Sequence, residues 1–409
     1  MHINIQRLWD DLLFTAQFGK VKETGITRLT FDQNDKKIRQ WFTTICHNLG
    51  GDVRTDRAGN QFARFFSSND QQPTILIGSH LDTQPNGGRF DGILGVLAGI
   101  EVIRTFIEKQ HAPKHAIEII NWSNEEGARF SPPMMGSAYA CGHLDLYSVL
   151  ESKDKEGYLL RDISEGFRSD SDVLTKIKPS CYLELHIEQG PVLEKGNINI
   201  GVVTSITGIS WFSIRFFGKA RHAGTTPLNY RNDSLIKSAK FIIEFQKYLI
   251  DNSDDIIGTI GKIENFPNTP NTVPEETIIY IDIRSASEEH LDNIDNIINE
   301  ILHANLKMDK SDFELKKNSN IAPTNFSPLL IRAIDKSIRQ IGLTSRHIVS
   351  GAGHDALQLA KLIPTGMIFV PCEDGISHNV NENIEKEYAE NGANSLLKTI
   401  LNLDEILIY

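Results

Sequence analysis

The stretch Thr74-Ile-Leu-Ile-Gly78-Ser-His80-Leu-Asp82, followed closely by Phe90-Asp91-Gly92-Ile-Leu-Gly95, decides how this chain folds. Its short apolar run, 74–78, reads as a strand. Residues 92–108 then carry the apolar pattern of a helix. Further apolar runs at 116–120, 181–185 and 366–370 read as strands of the same kind. Strand–helix alternation predicts an α/β fold, a doubly wound sheet with helices on both faces.

The middle of the chain follows another order. Strands are expected at 211–217, 256–263, 277–283 and 313–317. Helical stripes cover 234–249 and 287–308, the second apolar at 291, 294, 297, 298, 301, 302 and 306. This β-α-β-β-α-β order is ferredoxin-like. It predicts an inserted α+β domain at 212–326, with 1–211 and 327–409 forming the α/β domain. A length of 409 residues suits two domains.

Composition narrows the partners. The net charge of −11, with no basic block, argues against nucleic acid. No apolar run approaches the roughly 18 residues of a membrane helix, so no membrane partner is expected. The N-terminal MHINIQRLWDDLLFTAQFGK reads as an amphipathic helix without the form of a signal peptide. Cys46, Cys141, Cys181 and Cys372 show no CxxC spacing, which points to free thiols and a cytoplasmic home.

Chemistry gathers where the α/β strands end. Gly78-Ser-His80-Leu-Asp82, Asn124-Glu125-Glu126-Gly127, Glu184-Leu-His186-Ile-Glu188-Gln189 and Gly375-Ile-Ser-His378-Asn379 each follow or close a predicted strand, and Asp91 opens the first helix. Ligands of open α/β sheets bind outside the carboxyl ends of the strands, so these segments are expected to converge. Imidazoles and carboxylates suit a pair of divalent ions, which an Asp can bridge through its two oxygens. In the Glu125-Glu126 pair one residue can ligate while the other acts as base. Asp82, two residues from His80, is placed to accept that ring's other N–H. Taken singly, each feature has a plainer reading: a satisfied histidine, a solvated Glu-Glu turn, an Asp helix cap.

GSHLDT (78–83), GGRFDGILGVLAG (87–99), NEEGARF (124–130), ELHIEQGPVLE (184–194), RHAGTTP (221–227), PNTVP (270–274), GAGHDA (351–356) and GISHN (375–379) together resemble the hydantoinase/carbamoylase branch of the aminoacylase-like dinuclear metallohydrolases. The branch includes N-carbamoyl-L-amino acid hydrolases, allantoate and ureidoglycolate amidohydrolases, and β-ureidopropionases. The resemblance implies hydrolysis of a linear carbamoyl or ureido C–N bond in a small carboxylate-bearing substrate. It implies two divalent ions, with zinc expected ahead of manganese, nickel or cobalt. His80, Asp91 and His186 would hold one ion, and Asp91, Glu126 and His378 the other, with Glu125 as general base. His222 would donate to the developing oxyanion from the partner subunit. Arg284 would clamp the substrate carboxylate, with Gln189, Asn271, Gly353 and His354 beside it. The inserted domain would be a lid and the joint of a homodimer.

Two other readings compete. Gly351-Ala-Gly353-His354-Asp355-Ala356 fits G-x-G-x-x-A, with Glu373 and Asp374 about twenty residues on, which is the form of a dinucleotide fingerprint. A nucleotide-dependent oxidoreductase would then leave the His, Asp and Glu segments unexplained. A non-catalytic relative that only binds amino-acid-like ligands would not need both the ligand set and the base. A phosphate-loop reading of Gly92, Gly95 and Gly99 fails for want of the Lys and Ser/Thr, leaving close helix–sheet packing as their account.

Overall fold

The structure, a computed structural model, describes residues 1–67, 71–253 and 255–407. The chain forms two compact units, Met1–Thr204 with Asn325–Tyr409, and Ser205–Thr324. The second starts earlier than the 212 expected from sequence, because its first strand already begins at Gly208, and it ends two residues before 326.

The first unit is built on a mixed sheet. Its centre is parallel, in the order Thr365–Val370, Lys178–Ile187, Pro73–His80, Ala116–Trp122. Antiparallel strands extend it on both sides: Ile200–Ile206 beside Thr365–Val370, then Gln61–Phe65 and Asp52–Thr55 beyond Ala116–Trp122. Every residue of Ala116–Trp122 is buried, as expected for a strand covered on both faces. The helix Ile93–Glu108 is buried from Ile93 through Phe106. A Cβ on Gly95 would lie 2.4 Å from the Leu185 carbonyl oxygen, so this helix presses directly on the sheet. Each fully buried Leu, Ile or Phe contributes roughly 1.5–3 kcal/mol of transfer free energy. The core runs from Leu8 and Leu12 of the first helix to Leu397 and Leu403 of the last.

The second unit has an antiparallel sheet in the order Ile256–Phe266, Glu276–Ser285, Gly208–Phe217, Phe313–Ile321. Numbered along the chain this is 2-3-1-4, the strand order of the ferredoxin-like arrangement. Period-two patterning buries Phe212, Ile214 and Phe216 with Ile279, Ile281 and Ile283. The helices Ser234–Asp251 and Glu288–Glu300 supply Phe241, Phe245, Leu291, Ile294 and Ile298 to the same core. Asp233 and Ser287 cap them, accepting from the backbone N–H groups of Ile236 and His290. The stripe expected to stay helical to 308 gives way to a wider π turn at Ile301–Asn305, which ends it early.

Candidate metal centre

The strand Pro73–His80 ends in His80, and Lys178–Ile187 carries His186 one residue from its end. Glu125 and Glu126 follow Ala116–Trp122 in a loop turned by Asn124, whose φ is +55°. The Asn124 amide donates to the carbonyls of Phe130 and Pro132, tying that loop back on itself. His378 lies beyond Thr365–Val370. Four adjacent parallel strands thus deliver their side chains to one rim.

Asp91 is the hub. Its Oδ1 lies 3.0 Å from His186 Nε2 and 3.6 Å from His80 Nε2. Its Oδ2 lies 3.5 Å from His378 Nε2, which is itself 3.4 Å from Glu126 Oε2. Two ligand groups result, His80–Asp91–His186 and Asp91–Glu126–His378, each with donor atoms within 4.8 Å of one another. Ligands about 2.0–2.1 Å from a tetrahedral ion sit roughly 3.3 Å apart, so the spacing fits a metal. The imidazoles are also prepared for one. His80 Nδ1 lies 2.9 Å from the Asp82 carbonyl oxygen, and His186 Nδ1 lies 2.9 Å from that of Ile187. A carbonyl can only accept, so each Nδ1 carries a proton and each Nε2 is the nitrogen that faces Asp91; that of His186 also accepts the Gly92 backbone N–H at 3.2 Å. Gly92 packs beneath: a Cβ there would lie 2.3 Å from His80 Nε2, at a φ of +69°.

This geometry corrects the expectation for Asp82. Its backbone, not its carboxylate, takes the His80 N–H; the carboxylate Oδ1 is 3.8 Å away. The carboxylate instead accepts from the Thr30 hydroxyl at 2.9 Å and from the backbone N–H groups of Glu125 and Glu126 at 3.3 and 3.4 Å. Asp82 therefore orients the Glu125-Glu126 peptide. Gln84 fixes Glu126, donating its backbone N–H and its amide to the carboxylate.

The electrostatics are those of crowded carboxylates. Burial pushes the Glu125 carboxyl well above the usual range, against the pull of His80. Burial and Asp91 push Glu126 up to about 8. Asp91 goes the other way: burial would raise it, but His186 and His80 hold it well below. Burial alone would lower the His80 ring, yet Glu125, Asp91 and Asp82 raise it well above its ordinary value. Glu125 Oε2 lies 3.5 Å from His80 Nε2, beside the ligand group without joining it.

Other expected residues surround this cluster or lie elsewhere. The His354 ring stands 4.5 Å from that of His186, with Nε2 3.1 Å from Ser350 Oγ. A Cβ on Gly353 would lie 3.1 Å from the Met134 side chain, whose residue follows the Glu125-Glu126 loop. Gln189, expected to face substrate, donates its amide to Asp91 Oδ2 at 2.7 Å. His222, Asn271 and Arg284 belong to the second unit. His222 is exposed on a short ribbon pairing Arg221–His222 with Thr272–Val273, and its Nδ1 accepts from the N–H groups of Gly224 and Thr225. Its ring proton is therefore on Nε2. Arg284 is held by Asp282, with Nε to Oδ1 at 2.9 Å, and Asp282 also accepts from the Trp211 indole at 2.8 Å.

The dinucleotide reading of Gly351–Ala356 does not survive the structure. The helix that follows, Asp355–Leu359, has five residues, and its Ala356 N–H already donates to the buried Glu184 carboxylate. Buried Asp355 fills the remaining space with its carboxylate on Ser137. A phosphate would meet two acids. The sequence assigned no role to Glu184 or Asp355, although both stand in the motifs, nor to Glu382; all three are buried acids. Glu184 alternates with His186 on one strand face, a signal that was present.

Residues 76–402 match the model of peptidase family M20/M25/M40. An N-carbamoyl-L-amino-acid amidohydrolase of Rhizobium meliloti is 35% identical over 99% of this chain and 98% of its own length. A ureidoglycolate hydrolase of Arabidopsis thaliana is 31% identical over 95% of this chain and 84% of its length. A solved hydantoinase/carbamoylase family amidase from Burkholderia multivorans superposes with a TM-score of 0.91 at 35% identity, covering 98% of each chain. Strand-end ligands, a shared aspartate and full-length likeness agree: the chain belongs to peptidase family M20/M25/M40, in its hydantoinase/carbamoylase branch.

Proposed function

We propose that this protein is a metal-dependent amidohydrolase that cleaves the linear ureido C–N bond of an N-carbamoyl-L-amino acid. The observation that carries the reading is Asp91, whose two oxygens face two separate His-containing ligand groups. His80, Asp91 and His186 would hold one ion; Asp91, Glu126 and His378 would hold the second. Nitrogen and oxygen donors of this kind suit zinc first, and also manganese, nickel or cobalt. Bound there, the ions supply Lewis acidity toward the ureido carbonyl and acidify the attacking water.

The remaining steps belong to the chain. Glu125, unligated and buried beside His80, takes the proton of the water and returns it to the leaving nitrogen. Its raised proton affinity suits both halves of that task. His222 Nε2–H donates to the oxygen on which charge develops, reaching the partner subunit's site in a homodimer. Arg284 receives the substrate carboxylate as a fork, exchanging Asp282 for it. Asn271, Gln189, Gly353 and His354 line the substrate. The second unit is the lid and the dimer joint. An apolar stripe of Ile236, Ile243 and Ile250, spaced by seven and exposed on Ser234–Asp251, supports that role. A cytoplasmic location agrees with free Cys46, Cys141, Cys181 and Cys372.

Likeness to the plant ureidoglycolate hydrolase favours one other substrate class, ureidoglycolate or allantoate. Ammonia release from N-carbamoyl-L-amino acids, allantoate, ureidoglycolate and 3-ureidopropionate, measured side by side with metal analysis, decides between them. Turnover of the first class at least tenfold above the others is expected. Turnover of none by metal-loaded protein would leave a binding relative instead.

A further inference from the structure

Glu382 lies in the polar stretch Asn379-Val-Asn-Glu382-Asn, far from any strand end, yet is fully buried. Its Oε1 accepts two consecutive backbone N–H groups, from Phe90 at 2.9 Å and from Asp91 at 3.1 Å. Its Oε2 lies 3.0 Å from Ser377 Oγ, which is also 2.9 Å from Asp91 Oδ2. The residue after Ser377 is His378. One carboxylate therefore grips the peptide of the shared aspartate, and through one hydroxyl also reaches that aspartate's side chain and the segment bearing His378.

The opposing loop is shaped to admit it. A Cβ on Gly88 would lie 1.9–2.2 Å from the Glu382 carboxylate carbon and oxygens, and this acid cannot swing away without releasing two buried N–H groups. The neighbouring Arg89 donates to Asn383 at 3.0 Å, a second tie between the same two segments. Gly88 and Glu382 thus form one device assembled from residues almost three hundred positions apart.

We propose that Glu382 is the positioning residue of the metal centre: it fixes the Asp91 peptide and, through Ser377, the register of Asp91 against His378, so that both ligand groups share one carboxylate. This rests on the ligand assignment made above. Outer partners of this kind typically change metal affinity 10–100-fold. The first ion keeps His80 and His186, whose Nδ1 contacts are independent of Glu382, so the loss falls chiefly on the ion at Glu126 and His378.

Calorimetric titration of metal-stripped protein with Zn²⁺ alone, and the absorption spectrum of the Co²⁺-loaded form, test this without reference to activity. Wild-type protein is expected to bind two equivalents; one or none would overturn the ligand assignment itself. Given two, E382A is expected to keep the first and weaken the second at least tenfold, with an altered Co²⁺ spectrum. E382Q retains an oxygen for the two N–H groups and is expected to bind within a few-fold of wild type. G88A, which displaces the carboxylate while leaving it in the chain, is expected to behave as E382A. Two equivalents bound by E382A or G88A within threefold of wild type would sink the proposal, as would E382Q failing as badly as E382A while folded by circular dichroism. If E382A does not fold, G88A and E382Q decide by the same criteria.

Discussion

The division of labour proposed for Glu125 and Glu126 turns on a few ångströms and on two backbone N–H groups. Both carboxylates follow one strand, and Asp82 holds the peptide between them so that they diverge. Glu126 meets His378, whereas Glu125 stands beside His80 without closing a ligand group. E125Q is therefore expected to keep its full metal content while kcat falls by about 10³, within the roughly 10²–10⁴-fold contribution of a general acid–base group. Metal analysis with steady-state kinetics checks it, and residual turnover above a tenth of wild type would remove Glu125 from that role. At this scale the sequence was informative where a chemically distinctive side chain stood at a strand end, as with His80, Glu126 and His186. It was silent on Glu382, because a glutamate among Asn379, Asn381 and Asn383 looks solvated until Gly88 is brought against it. For Asp82 the spacing from His80 was a sound clue, but carbonyl and carboxylate of one residue compete for the same N–H, and only the folded turn decides between them.

At the scale of elements, the ribbon pairing Arg221–His222 with Thr272–Val273 and the strand Glu276–Ser285 present the second unit's polar groups. Arg284 is already bound to Asp282, so any carboxylate it accepts must compete with an internal one. R284A is expected to raise KM about 10–100-fold with a smaller change in kcat, the mark of uniform binding lost. R284K should recover little of it, since an ammonium lacks the planar fork. Kinetics on one N-carbamoyl-L-amino acid, with circular dichroism to confirm folding, measures this; an unchanged KM in R284A would dismiss the clamp. The elements themselves were largely legible because their periods are clean. Residues 116–120 are apolar enough to be read as a buried strand, and 291, 294, 298, 301 and 302 trace a helix face. What periodicity could not show was the π turn at Ile301–Asn305, where the apolar spacing continues although the backbone widens.

For the molecule as a whole, the centre is a concentration of buried titratable groups, most of which hold their protons more tightly than usual. Glu126 binds its proton up to about pH 8 when folded, against its ordinary 4.5 when unfolded. His80 and His186 are shifted upward as well, so the folded metal-free protein holds more protons than the unfolded chain between about pH 5 and 8. Stability of the stripped protein must therefore fall as pH rises through that window. Asp91, shifted downward, acts below the window. His354, pushed down by burial and His186, opposes the trend below about pH 6.5, but Glu126 together with Glu382 and Asp56, both raised to about 7 by burial, outnumber it. Divalent ions replace those protons, so the rise in Tm on adding Zn²⁺ is expected to grow from pH 5 to pH 8, by several degrees or more. Calorimetric scans of stripped and loaded protein at each pH check this; a rise that shrinks with pH contradicts it.

The parallel strands that carry the centre do not come from one stretch of chain. Pro73–His80, Ala116–Trp122 and Lys178–Ile187 are neighbours drawn from the first half, and Thr365–Val370 joins them only after the entire second unit has been traversed. During synthesis, then, a growing polypeptide possesses His80, Asp91 and His186 long before His378 exists. At that stage only one of the two candidate ligand groups, His80–Asp91–His186, is present in full. On the proposed ligand assignment, completion waits for Thr365–Val370 to pair alongside Lys178–Ile187, so a segment made well after the second unit supplies the remaining histidine.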